Sequence, residues 1–125
     1  MDDRHLIELA GEAREHAYAP YSGVKVGAAV LTGSGDVYSA SNVENASYGL
    51  TICAERAALF AAVAAGHRKI TKLAIVAEGM ESPMPCGACL QVMKEFEVEA
   101  VIIAGPDGKV ETYELSSLLP RPFRL

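Results

Sequence analysis

Two short segments constrain this chain more than any other feature: Cys53-Ala54-Glu55-Arg56 and Pro85-Cys86-Gly87-Ala88-Cys89, which between them hold all 3 of its cysteines. Both fall where a helix is expected to begin. Cys86 and Cys89 stand at i and i+3, so a helical first turn puts their sulfurs on one side. With Cys53 they make a trio of soft donors, and thiolates favour Zn²⁺ over Mg²⁺ or Ca²⁺. An odd cysteine count fits poorly with a closed set of internal disulfides. A fold that uses the trio must bring two separate helix starts together.

Three protein ligands leave a fourth tetrahedral position for water, the open arrangement of catalytic zinc, whereas structural zinc has four protein ligands. The candidates for closing the site are His5, His16 and His67. The first two fall in the expected first helix, and His67 follows the expected end of the second. Helix starts favour negative charge, which helps keep the thiols ionised. Three thiolates over-compensate one Zn²⁺, so Arg56 is expected to withdraw charge by hydrogen bonding to sulfur, its alternative being a solvated helix arginine. Glu55 follows Cys53 closely and can overhang the bound water as an acid–base group. Away from a cysteine ligand, such a glutamate would read as a surface residue that suits the helix dipole.

The rest of the sequence supplies a frame for that centre. A chain of 125 residues, 50% hydrophobic and 22% charged, suits one globular domain, here residues 1–125. Residues 2–17 read as an amphipathic helix, 24–31 and 37–41 as a hairpin across Thr32-Gly33-Ser34-Gly35-Asp36, and 53–65 as a helix closed by Gly66. Residues 73–77 read as a buried strand, 87–96 as a helix, and 101–104 and 110–114 as strands joined by Pro106-Asp107-Gly108-Lys109. Residues 115–119 read as a last helical turn. Helices and strands alternate after an opening hairpin, which predicts an α/β domain of three layers, α/β/α, with a mixed sheet of about five strands.

The net charge of −5 argues against broad binding to a polynucleotide backbone but not against an uncharged nucleoside. The charged start Met1-Asp2-Asp3-Arg4-His5 lacks the apolar core of a secretory signal, and the longest apolar run, Ala57 to Ala65, is too short to span a bilayer. No membrane association and a cytoplasmic location are the corresponding expectations, with the cysteines kept reduced.

A His or Cys ligand, one residue, Glu, and a later Pro-Cys-x-x-Cys form the zinc-deaminase signature. Both halves are present here, in order. The sequence resembles the small, all-cysteine, homotetrameric cytidine deaminases over nearly its whole length. Further matches are Tyr18-Ala19-Pro20-Tyr21-Ser22, Val26-Gly27-Ala28-Ala29, Asn42-Val43-Glu44-Asn45-Ala46-Ser47-Tyr48, Cys53-Ala54-Glu55-Arg56-Ala57-Ala58-Leu59-Phe60, and Leu118-Leu119-Pro120 followed by Phe123.

The resemblance implies one Zn²⁺ per chain and hydrolytic deamination of cytidine and 2′-deoxycytidine, with Glu55 as the catalytic group. It implies that Asn42 and Glu44 bind the ribose hydroxyls, as an amide and a carboxylate suit; without it, that loop reads as turn chemistry. It adds Ala54 to the substrate contacts. It further implies a homotetramer with active sites at subunit boundaries, where Ala46 and Tyr48 reach a neighbour's sugar and Phe123 a neighbour's base. The plainer reading of Phe123 is a C-terminal core anchor.

Two positions depart from the family. Val24 stands where a phenylalanine usually packs on the cytosine, and Leu90 stands where an arginine usually follows the last cysteine, which shifts more of the charge compensation to Arg56. Gln91 keeps the family residue and is expected to contribute a hydrogen bond beside the metal. The departures keep deamination of a cytosine-containing aminonucleoside such as blasticidin S as the alternative, although those enzymes do not usually carry the Asn42–Ala46 run. A polynucleotide editor would need a basic groove and usually has histidine as first ligand. A non-catalytic zinc module would have no need of Glu55.

Overall fold

The computed structural model describes residues 1–125. Asp2 opens the first helix, α1 (Asp3–Arg14), its Oδ1 accepting from the His5 N–H at 2.9 Å. The hairpin strands β1 (Lys25–Thr32) and β2 (Val37–Ser41) follow, then a single 3₁₀ turn at Tyr48–Leu50. The helix α2 (Ala54–Ala64), the strand β3 (Ile70–Glu78) and the helix α3 (Gly87–Glu95) come next. The chain finishes with β4 (Ala100–Ala104), β5 (Val110–Glu114) and the short α4 (Leu115–Leu118). The strands form one sheet in the order β2-β1-β3-β4-β5, in which only β3 and β4 run parallel. The mixed five-stranded α/β sheet expected from the sequence is therefore the fold observed.

Strand alternation sorts the side chains into two cores. Ala28, Val30, Leu73, Ile75, Val101 and Ile103 face α2 and α3, where Ala54, Ala58, Leu59, Ala62, Cys89, Leu90 and Met93 meet them. On the other face Ala29, Ala74 and Ile102 receive Leu6 and Ala10 of α1. Helices thus cover both faces, which gives the three layers.

The α1 layer sits close because β1 has no side chain at Gly27. A Cβ there would lie 1.9 Å from the Ala10 carbonyl oxygen and 2.6 Å from the Arg14 nitrogen. Both are backbone atoms, so no rotamer change relieves the clash. Gly27→Ala is expected to cost about 3 kcal/mol, seen as a fall in Tm on the order of 10 °C with zinc content unchanged. A Tm within error of the parent would show that α1 is free to shift.

Several boundaries differ from the sequence reading, and three of them bear on the layers or the site. α1 stops at Arg14, and its last turns tighten through bonds such as Ala17 N–H to Arg14 C=O, because the Tyr18 N–H pairs with the Asn42 carbonyl at 3.0 Å. β3 starts at Ile70 rather than 73, since Ile70 pairs with Thr32 of β1 and the Thr71 carbonyl accepts from the Glu99 N–H on the other side. Cys53 lies just outside α2, as its N-cap.

Candidate metal centre and active site

The two cysteine segments meet at the helix starts. Cys53 caps α2 and Cys86 caps α3, and neither thiol bonds to its own helix's backbone, so both sulfurs are free to ligate. Cys53 Sγ lies 4.0 Å from Cys86 Sγ, and Cys86 Sγ lies 3.6 Å from Cys89 Sγ. All three sulfurs fall within 4.8 Å of one another. Tetrahedral Zn–S bonds of about 2.3 Å require sulfurs about 3.8 Å apart, so the trio needs only small adjustments to hold one Zn²⁺.

Charge supports the same occupant. The Cys53 thiol is brought down to about 5, first by its hydrogen bond with Cys89, against burial, and then by the hydrogen bond and charge of Arg56. The Cys89 thiol moves up, because it shares that bond, is buried, and faces Glu55. Sulfurs this close cannot all ionise without a cation between them. A divalent ion supplies that charge.

No histidine joins the cluster. His67 lies 3.4 Å from Asp36, beside the hairpin loop, and His5 lies 3.7 Å from Glu8 on the outer face of α1. The metal-ligating group is the three cysteines alone. The closed, four-ligand alternative therefore lacks a fourth protein donor.

Beside the sulfurs lies a cavity of about 180 Å³, lined by Cys53, Ala54, Glu55 and Cys86 on the metal side. Glu55 is 6% exposed, and burial is the main reason its carboxyl is raised above the ordinary range, with the Cys53 charge adding to it. Arg56 points a Nη2 N–H at Cys53 Sγ from 3.4 Å, while its buried Nε has no partner. Leu90 is buried in the core with α2 and β3, so the position where an arginine was expected carries no charge toward the sulfurs.

Asn42 is 8% exposed and lines the same cavity. Its Oδ1 accepts from the Val26 N–H at 2.9 Å and its Nδ2 donates to the Val24 carbonyl at 2.8 Å, which fixes the amide and leaves one N–H and one lone pair for a ligand. Glu44 stands in an adjoining, more open chamber of about 340 Å³ with Tyr21, Ser22, Tyr48 and Thr51. Its Oε1 accepts from the Tyr21 and Ser22 N–H groups, at 2.9 and 3.1 Å, and its Oε2 from the Ser22 hydroxyl at 2.5 Å. These bonds, that of the Ser22 hydroxyl foremost, hold its pKa below the usual carboxylate value.

Several positions differ from the sequence reading. Val24 does not line the cavity; its backbone anchors Asn42, and Val26, in phase with Ala28 and Val30, supplies the wall. Gln91 does not reach the sulfurs. Its amide donates to the Phe123 carbonyl and accepts from the Phe123 N–H, both at 3.1 Å, so it clasps the C-terminal segment onto α3. Phe123 is 72% exposed and Tyr48 76% exposed, so Phe123 is no core anchor. Ala46 is likewise exposed, and none of the three lines the metal-side cavity. The sequence does not single out Thr51, Ile52, Ile75, Met80, Pro83 and Met84, which complete that cavity. Only Pro83-Met84-Pro85, tight against Cys86, carried a signal that this loop is held near the metal.

Residues 1–105 match the family described as the cytidine and deoxycytidylate deaminase zinc-binding region. A cytidine deaminase of Halalkalibacterium halodurans is 46% identical over 125 residues, 98% of this chain and 95% of that one. One from Mycobacterium tuberculosis is 42% identical over 125 residues, covering 100% and 92%. The crystal structure of cytidine deaminase from Burkholderia pseudomallei superposes with a TM-score of 0.92 at 49% identity, covering 98% of this chain and 100% of that one.

Proposed function

Because the chain belongs to the cytidine and deoxycytidylate deaminase family, we propose that it hydrolyses cytidine and 2′-deoxycytidine to uridine and 2′-deoxyuridine, releasing ammonia. The single observation that carries the reading is the buried Glu55 carboxylate sharing one cavity with a cluster of three thiols that lacks a fourth protein donor. When bound, zinc supplies Lewis-acid activation of the attacking water. Cys53, Cys86 and Cys89 hold it, and Arg56 draws charge from the Cys53 sulfur.

Glu55 takes a proton from the attacking water and returns it to N3 of the ring, then serves the departing amine in the same way. Its burial suits both halves of that cycle, since a raised carboxyl pKa makes the acid and base forms closer in energy near neutral pH. Ala54, with no side chain beyond Cβ, leaves room for the ring beside Glu55. Asn42, pinned by Val24 and Val26, and Glu44, pinned by Tyr21 and Ser22, present preformed partners to the sugar hydroxyls. The blasticidin S alternative gains no support, since the relatives reported above are cytidine deaminases.

The working unit is a homotetramer, in which Ala46, Tyr48 and Phe123 reach a neighbour's site, and the catalytic domain is residues 1–125. Large apolar groups left bare on the surface support this: Tyr48, Leu50 and Phe123 are each more than two-thirds exposed. No helix is long and apolar enough to cross a membrane. Three unpaired cysteines suit a reducing, cytoplasmic setting.

A nucleoside panel assayed for ammonia release, with and without a zinc chelator, tests the reading. Cytidine and 2′-deoxycytidine are expected to be turned over, with the activity lost to the chelator. Stoichiometric zinc with no deamination of any cytosine nucleoside would make the centre structural instead.

A further inference from the structure

Thr51 is the one residue that lines both chambers. It stands in the wall of the metal-side cavity, with Cys53, Glu55 and Asn42, and in the wall of the open chamber, with Glu44 and Tyr48. A nucleoside whose base lies against Glu55 and whose sugar hydroxyls reach Glu44 must pass its sugar across this shared wall.

The backbone fixes Thr51 there. Its N–H bonds to the Tyr48 carbonyl at 3.1 Å, closing the 3₁₀ turn, and the next residue, Ile52, exchanges N–H and carbonyl bonds with Val43 at 3.0 and 3.1 Å. Its Oγ1 accepts from the Asn45 N–H at 3.1 Å, the only bond its hydroxyl makes. A hydroxyl carries one donor and two acceptor sites, so the proton of Thr51 is left without an acceptor in the chain, on the half-buried wall between the two chambers. The Asn45 bond also restrains the side chain, so little rotational freedom is lost when a ligand arrives.

From this placement we propose that Thr51 is a substrate-binding residue whose hydroxyl donates a hydrogen bond to a sugar oxygen of the nucleoside. The inference rests on the deaminase reading and deepens it, by naming a contact between the base chamber and the Glu44 chamber. It makes Thr51 a binding group, not a catalytic one, because its hydroxyl is assigned to the sugar and not to the reacting atoms of the base.

The test compares Thr51→Val, which keeps the shape and removes the hydroxyl, with Thr51→Ser, which keeps the hydroxyl. Thr51→Val is expected to raise KM for cytidine about tenfold with kcat within about twofold, and Thr51→Ser to stay near the parent. Thr51→Val also removes the Asn45 bond, so the deciding readout is a substrate series. Cytidine is compared with its 2′-deoxy, 3′-deoxy and 5′-deoxy analogues and with the carbocyclic analogue that lacks the ring oxygen. If Thr51 binds one sugar oxygen, the Thr51→Val penalty disappears for the analogue missing that oxygen and persists for the others.

A penalty equal across all five compounds would overturn the proposal and leave Thr51 as a loop residue acting through Asn45. An unchanged KM in Thr51→Val would overturn it as well. Failure of the underlying reading is distinguishable, because the parent enzyme would then deaminate none of the five.

Discussion

Glu55→Gln is expected to bind one zinc per chain, to melt at or slightly above the parent temperature, and to lose about 10⁴-fold in kcat on cytidine. The substitution keeps volume and hydrogen-bonding reach while removing the ability to carry a proton. Glu55 makes no ion pair with a base, and it lies at the foot of α2, nearly sealed from solvent. Its burial works against the ionised form, as does the charge on Cys53. Replacing it with a neutral amide therefore relieves the fold rather than harming it. The same burial makes Glu55 hard to replace in turnover, because bulk water has poor access to shuttle protons in its stead. Metal content by plasma mass spectrometry, Tm by calorimetry and kcat by the fall in cytidine absorbance check the three parts separately. Activity within tenfold of the parent, with zinc bound, would remove Glu55 from its role.

Cys89→Ser carries the second large effect. Of the three cysteines it is the fully buried one, packed in the core under α2 and β3. Serine offers a shorter, harder ligand that ionises far less readily than a thiol, so it neither reaches the shared point nor charges there. The variant is expected to retain less than about a tenth of the parent's zinc at low free metal, and to lose turnover in proportion. Its Tm is expected to fall to that of the chelator-treated parent, because metal binding energy contributes to folding when the site forms only in the folded chain. Zinc retained at one per chain with normal turnover would mean that the metal sits elsewhere.

The sequence made the sheet and the metal ligands legible for the same reason: local signals and tertiary partners agreed. Gly35 and Gly66, at φ of +94° and +103°, mark a hairpin and a helix end that only glycine turns so readily. The alternation of Val26, Ala28 and Val30 against Ala29 follows from two faces that both need apolar cover. Cys86 and Cys89 lie one helical turn apart, and that spacing alone sets their approach.

What the sequence hid is what tertiary contacts decide. Ile70, Thr71 and Lys72 join β3 because their backbone pairs with β1, Ile70 opposite Thr32 and Lys72 opposite Leu31, while Lys72 Nζ reaches Asp3 on α1 at 2.8 Å. Ile70 and Thr71 are β-branched and suit a strand, but a pair so short beside Lys72 does not by itself extend one. The placement of Val24 is hard to read because the stretch from Tyr18 to Val24 is irregular, and its backbone is held by Asn42 and Glu44, which lie far along the chain. The resemblance implies a hydrogen bond from Gln91 beside the metal, whereas its bonds run to Phe123 on a C-terminal segment distant in sequence. Thr51 and the Met80–Met84 loop carry no sequence signature of their role, because a cavity wall assembled from separate loops has no period to read.

The zinc itself offers the most direct test. X-ray absorption at the zinc edge of the active enzyme is expected to show three sulfur neighbours at about 2.3 Å and one oxygen or nitrogen neighbour at about 2.0 Å, the latter exchanging on addition of a substrate analogue. A fourth sulfur or a protein imidazole in the shell, or full activity in a preparation without zinc, would contradict it.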